Sequence, residues 1–222
     1  MSSSTGLSSS PRLLKAGIVL MDAVSGRIER IISLQYNPDS LSRTLQAQVP
    51  ATDAGGFSDA LRLKGPPTET IKLDAELDAT DQLEFPANNV NAVQVGIAPQ
   101  LAALEIILYP KSALLQANNT LAGLGTLEIA PMESSLPLFV WSKNRVLPVR
   151  FTDFSITEEA FDPHLNPIRA KLSLGMRVLS VSDLGFGHKG GGLYMIHQQQ
   201  KERLAGLYAG ATLAALGVGA IL

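Results

Sequence analysis

Few residues in this chain have the type and spacing to do chemistry. Gly185-Phe186-Gly187-His188-Lys189-Gly190 matches G-x-G-x-x-G, the spacing with which a glycine turn holds a dinucleotide pyrophosphate at a helix N-terminus. That chemistry also needs a parallel βαβ unit and an acidic residue about twenty positions on. Downstream the only acidic residue is Glu202, in a Lys-Glu-Arg run before an uncharged apolar tail, so without a βαβ pattern residues 185–192 read as a flexible glycine hinge. The run lacks the GK[ST] ending of a P-loop. His164, His188 and His197 have no metal-ligand spacing, and there is no cysteine to join them. Glu158 and Glu159 are a candidate acid/base pair, but neighbours on a strand point to opposite faces and cannot share one reacting atom. They read as a solvated edge or a subunit contact. No G-x-S-x-G elbow is present. No catalytic, cofactor-binding or metal site emerges, and a non-enzyme is expected.

The remaining polar signal is a pattern of charge. Ile168, Ala170, Leu172, Leu174, Met176 and Val178 share one strand parity, while Arg169, Lys171 and Arg177 share the other. Such alternation buries one face and offers the second to water or a partner. Ile71, Leu73, Ala75 and Leu77 alternate in the same way with Lys72, Asp74, Glu76 and Asp78. The basic and acidic faces either meet, across a sheet or between subunits, or are separately solvated. Arg169, Lys171, Arg177, Glu158 and Glu159 are therefore the candidate interface residues. Trp141, the sole tryptophan, shares a strand with Phe139, and core packing is its default role.

These residues sit in residues 138–181, which read as three strands joined by two short turns. Lys143-Asn144-Arg145 makes one turn. Asp162-Pro163 and Asn166-Pro167 bracket the other, since each proline fixes its own φ and keeps the preceding residue extended. The middle strand changes phase between Val149/Phe151 and Phe154/Ile156, which predicts a bulge near Thr152-Asp153. Upstream, Leu14 to Leu20 and Ile28 to Tyr36 read as an antiparallel hairpin turning at residues 22–26. Residues 46–67 read as a long loop with Gly65-Pro66-Pro67 at its end, the kind of loop that often binds. Residues 88–109 carry the one internal helix, with Pro99 in a first turn and Leu101, Leu104, Ile107 and Leu108 as its stripe. A separate turn has room at 88–95. Residues 111–137 read as a loop with space for one short strand. The sum is a mostly antiparallel α+β domain rather than an alternating βαβ fold.

Composition sets the outer bounds. The chain has 222 residues, 45% hydrophobic and 17% charged, which suits one globular core plus tails. A net charge of −2 argues against nucleic acid as a partner. Absence of cysteine fits a cytoplasmic protein. Residues 1–11 form a serine-rich tail with no apolar signal segment, expected to be disordered until bound.

Pro137 to Trp141, a short basic turn, Ile156 to Pro163 and Leu165 to Leu174 together resemble the tube-type domain of baseplate proteins in contractile injection systems, which are phage-tail-like particles. Tyr36-Asn37-Pro38-Asp39-Ser40-Leu41 is a weaker echo, and the likeness spans about residues 12–182. The resemblance implies a β-barrel or sandwich of the tail-tube type with a flanking helix, over residues 12–184. It implies a ring, a hexamer in the family, that joins the inner tube protein to the spike protein beside the baseplate wedge proteins. It implies no cofactor, and a place in the cytoplasm within an assembled particle. Family members often carry a C-terminal lysin-motif module that clamps the wedges. Here only the glycine hinge and a short apolar segment follow, which puts that role in doubt. The competing class is a monomeric ligand- or carbohydrate-binding β-sandwich.

The C-terminal helix is expected over residues 193–222. Its last nineteen residues, opening at Leu204 and closing at Leu222, carry no charge. As a helix they would span roughly 28 Å, near the thickness of a bilayer core, and Gly206 and Gly210 make a G-x-x-x-G pair. Against a membrane span stand its many small residues and the helix-weakening Gly217 and Gly219. A helix packed on other subunits is the preferred reading.

Overall fold

The computed structural model describes residues 14–49, 62–123 and 134–219. The serine-rich tail 1–11 and residues 50–61 of the expected binding loop lie outside them. Strands β1 (Gly17–Met21) and β2 (Ile28–Ser33) form the expected hairpin, with Ile18 opposite Ile32. Then come β3 (Leu41–Gln48), β4 (Gly65–Asp78), β5 (Leu136–Ser142), β6 (Arg145–Phe161) and β7 (Pro167–Val178). Seven strands join in the order β2-β1-β5-β6-β7-β4-β3, and every pairing is antiparallel. The fold is α+β, as expected, but among the described residues the sheet does not close on itself into a barrel.

The long middle strand divides its work. Residues 145–148 of β6 pair with β5, and residues 149–161 pair with β7. Between Phe151 and Asp153 the register slips by one residue. Phe151 opposes Met176 before the slip and Phe154 opposes Leu174 after it, so both aromatics keep to the core side. The expected bulge is there, and it rescues the phase of the apolar pattern. The core takes Ile71, Leu73, Ala75 and Leu77 from β4 and Ala170, Leu172, Leu174, Met176 and Val178 from β7, all buried. Strand β1 is covered on both faces: Ile18 packs with Phe139 in the main core, while Met21 packs with Leu136 and Leu138 behind it. Phe139 is wholly buried and Trp141 only half-buried at the core's margin.

Side chains extend the ladders where backbone runs out. Asn37 accepts from the Ala16 N–H at 2.9 Å and donates to the Leu14 carbonyl at 2.7 Å. Gln35 does the same for Asp78, donating to its carbonyl at 2.6 Å and accepting from its N–H at 2.9 Å. Both residues act as single-residue strands.

Several elements differ from expectation. The single helix of residues 88–109 is broken into α2 (Val90–Val95) and α3 (Ala98–Glu105), preceded by α1 (Thr80–Leu83) and a 3-10 turn at Pro86–Asn88. The break is at Gly96, whose φ of 58° and ψ of −135° suit glycine alone. A β-carbon there would stand 2.1 Å from the Pro167 carbonyl. That carbonyl accepts the Ile97 N–H at 2.9 Å, so the β6–β7 hairpin dictates the break. Strand β3 occupies part of the expected loop, and β4 begins at Gly65, through both prolines. Residues 112–123, expected as loop, form α4 (Ser112–Gly123).

The expected hinge and tail are also different. After α5 (Val181–Leu184), helix α6 runs Lys189–Gly206 and takes in Gly190, Gly191 and Gly192. Gly191 is buried, and a β-carbon on it would lie 2.0 Å from the Gly185 carbonyl. Gly190 and Gly191 permit close packing of α6 on the preceding turn, while Gly192 faces open space. The helix holds only the first three residues of the uncharged run, followed by a 3-10 turn at Leu213–Leu216. Among the described residues no helix is long and apolar enough to cross a membrane.

Candidate assembly surface

Antiparallel pairing of β4 with β7 brings the acidic and basic parities onto one open face of the sheet. Asp78 stands opposite Arg169, and Glu76 opposite Lys171. Arg169 donates from Nε to Asp78 Oδ2 at 2.8 Å and from Nη2 to the same oxygen at 2.7 Å. Glu76 lies 3.8 Å away. Of the two readings left open by the sequence, the faces meet, and they meet within one chain. The Asp78 carboxyl is held below its ordinary value, first by the Thr80 hydroxyl and further by Arg169.

Strand β6 adds its share from the other side. Thr157 opposes Lys171 and Glu159 opposes Arg169. Lys171 Nζ lies 2.9 Å from Glu159 Oε1. Glu158 opposes Ala170 and so points to the other side of the sheet, where it remains exposed. The adjacent glutamates are thus split between faces. Arg177 shares the parity of Arg169 but lies farther along β7. It donates to Asp183 Oδ1 at 2.6 Å, and Asp183 also receives the Ser180 N–H at 2.9 Å in the capping box that opens α5. Arg169, Lys171 and Glu159 form a patch; Arg177 and Glu158 stand apart from it.

Beside this patch runs an open edge. Strand β5 ends its pairing with β6 at Pro148, and among the described residues no strand pairs with the outer edge of β6 over residues 150–161. The turn that ends this edge is rigid. Asp162 Oδ1 accepts the N–H groups of His164 at 2.7 Å and Asn166 at 2.8 Å, and Leu165 takes a left-handed φ of 65°. Asn166 Nδ2 donates to Asp162 Oδ2 at 2.8 Å and to the Gln94 carbonyl at 3.0 Å, tying the turn to α2. His164 is an exposed turn residue. The Leu165-Asn166-Pro167 string is therefore a junction between the hairpin and the broken helix.

A second charge cluster had no place in the sequence reading. Glu69 is on β4 at the core parity and only 3% exposed. It receives Arg43 Nη2 at 2.6 Å and Nε at 2.7 Å on Oε1, and Lys201 Nζ at 3.2 Å on Oε2. The available signal was a carboxylate two residues before Ile71 on the same parity. It is invisible to a strand that is read as starting at Ile71.

Among the described residues every strand pair is antiparallel, so no parallel pair underlies the glycine fingerprint. His188 caps α6 by accepting the Gly190 N–H at 3.0 Å on Nδ1. Among the described residues no group of three or more His, Asp or Glu side chains is placed to hold a metal.

No family model matches the chain, and no curated relative does. Among solved structures it is similar to a chain from the tail of an empty GTA particle, determined by helical refinement with C6 symmetry. That likeness has a TM-score of 0.27 and 12% identity, over 74% of this chain and 90% of the other. A TM-score of that size falls short of establishing a shared fold.

Proposed function

We propose that this chain is a structural, non-enzymatic subunit of a contractile phage-tail-like particle, closing into a ring that joins the inner tube to the central spike. The observation that carries the reading is the open outer edge of β6 over residues 150–161. Twelve residues of unpaired strand present about 40 Å of free N–H and C=O groups. Monomeric proteins blunt such edges with lysine, proline or a covering element, because bare edges recruit other strands. Here the edge has neither lysine nor proline, and its blunting is confined to the bulge at residues 151–153 and the charges of Arg150, Asp153, Glu158 and Glu159. Among the described residues no strand pairs with the outer edges of the sheet's terminal strands, β2 and β3. Pairing β6 of one copy with a terminal strand of the next is a head-to-tail contact, and such contacts generate rings when the rotation closes. The resemblance of the hairpin to tube-type baseplate domains supplies the ring size, six, and the partners: tube, spike and wedge proteins. The particle would assemble in the cytoplasm.

The test is the mass of the purified full chain by light scattering, alone and with candidate tube and spike proteins, beside the edge variants Thr157→Pro and Glu158→Pro. Adjacent strand residues direct their N–H groups to opposite edges, so one of these prolines spares the β7 ladder. The expected result is a ring for the wild type and a folded monomer for that variant. A wild type that stays monomeric with every candidate partner, or a folded proline variant that assembles normally, would overturn the reading.

A further inference from the structure

We propose that the cleft between β3, the β5–β6 turn and α6 binds a small molecule through a carboxylate or phosphate oxyanion, with Arg145 as the principal donor. This site does not depend on the ring reading. The cleft holds about 340 Å³, and Arg43, Trp141, Arg145, His197, Lys201 and Leu204 are among the residues that line it. That volume is at the low end of small-ligand sites, ~300–1,000 Å³.

Charge is the first argument. Arg43, Arg145 and Lys201 bring three cations to one cleft, and Glu69 is the carboxylate that pairs with two of them. Arg145 has no ion-pair partner among the described residues. It is half-buried, and burial first and the Arg43 cation second depress its pKa. A desolvated guanidinium beside another cation is an unfavourable arrangement that an incoming anion relieves. Glu69 fixes Arg43 and Lys201 through some of their donors, and the others remain available.

The second argument is His197. It is 5% exposed, lines the cleft, and neither ring nitrogen has a hydrogen-bond partner. The Asn144 carbonyl faces the ring without reaching hydrogen-bond geometry. Buried polar atoms in native proteins are nearly always satisfied, so an orphaned imidazole in a cationic cleft points to an absent acceptor. Trp141 and Leu204 give the rest of the ligand an apolar wall. An oxyanion matches the donors: a planar guanidinium fork, a neutral imidazole N–H and an ammonium.

Trp141 is the only tryptophan, so its fluorescence reports on the cleft directly. The full chain would be titrated with inorganic phosphate and, separately, with succinate, each against sodium chloride at equal ionic strength. A saturable change with either anion is expected, and the effective anion identifies the class of ligand. In Arg145→Gln, which removes a repelled cation and should fold normally, the apparent Kd should rise by about tenfold or more. His197→Gln gives the second reading, with a smaller rise expected. Absence of a saturable change beyond the chloride control with both anions would overturn the proposal. So would unchanged affinity in a folded Arg145→Gln.

Discussion

Strand β4 carries carboxylates on both of its faces, and the two sets obey different physics. Asp74, Glu76 and Asp78 alternate on the open face, the first two exposed to water and Asp78 half-buried against Arg169. Glu69 sits on the core parity, almost wholly excluded from water, with Arg43 and Lys201 as its partners. An exposed pair contributes little because solvent replaces a lost partner. A buried pair contributes little in total as well, since desolvation consumes the attraction, but losing one member strands the others. The same side chain type on the same strand therefore stabilises very differently according to parity.

The largest expected effect is at Glu69. Glu69→Ala leaves Arg43 and Lys201 without an anion beside the already unpaired Arg145 and should destabilise the fold by roughly 3–5 kcal/mol. Glu76→Ala on the open face should stay within about 0.5 kcal/mol. Urea unfolding followed by circular dichroism measures both. Equal effects would break the comparison.

Next in size is the helix that delivers Lys201 to Glu69. A methyl group on Gly191 must displace the Gly185 carbonyl, which we expect to cost about 1–3 kcal/mol. Were residues 185–192 a free hinge, Gly191→Ala would instead be neutral or stabilising by about 0.4–1 kcal/mol, through the unfolded chain. The sign of the change in melting temperature separates the two.

Acid should attack the buried cluster in two stages. Burial lowers the His197 pKa below its ordinary 6.5, with the Lys201 cation adding to the effect. Burial alone would raise Glu69, but Arg43 and Lys201 together outweigh it and hold the carboxyl below its ordinary 4.5. In both cases the unfolded chain binds the proton more readily, so their stability contribution is present above the ordinary value and lost as pH falls. Loss should begin below 6.5 through His197 and steepen below 4.5 through Glu69. His197→Gln should flatten the upper stage only, in melting curves taken between about pH 8 and pH 4.

What the sequence disclosed and what it concealed follows the same division between local and distant causes. The β6–β7 hairpin, its bulge and the Asp162–Asn166 turn were legible because parity, proline and asparagine act within a few residues of themselves. The break at Gly96 was legible only as room for a separate turn at 88–95, because its cause is the Pro167 carbonyl on another element. Strand β3, Leu-Ser-Arg-Thr-Leu-Gln-Ala-Gln, alternates only weakly, since Arg43 breaks the parity of Leu41, Leu45 and Ala47, and its ladder with β4 holds it. Helix α4 was hidden by Asn118-Asn119 and Gly123, which read as turn chemistry. The Glu69–Lys201 contact joins residues 132 positions apart, and no pattern of spacing reveals it. Of the candidate interface residues, parity placed Arg169, Lys171 and Arg177 on one face, but it gave no sign that Glu159 would join them or that Asp78, Glu159 and Asp183 would pair with them within the chain.

The smallest expected effect on stability is at Lys171, and it bears most directly on assembly. Its side chain is 62% exposed, and its partner Glu159 is 36% exposed. Lys171→Gln should therefore change the stability of the isolated chain by less than about 1 kcal/mol, and that change should vanish in high salt. A neighbouring copy paired along the open edge of β6 would lie beside Glu159, and Lys171 is the cation that now neutralises it. Freed from Lys171, Glu159 becomes an uncompensated charge at that contact, where repulsion or desolvation costs more than on an open surface. The variant should leave the melting temperature of the monomer nearly unmoved while shifting the proposed ring toward monomer at low salt. Light scattering at two ionic strengths on the same sample reads both outcomes. A variant that assembles as the wild type does at low salt would leave the patch a solvated face, and would place the contact elsewhere on the sheet.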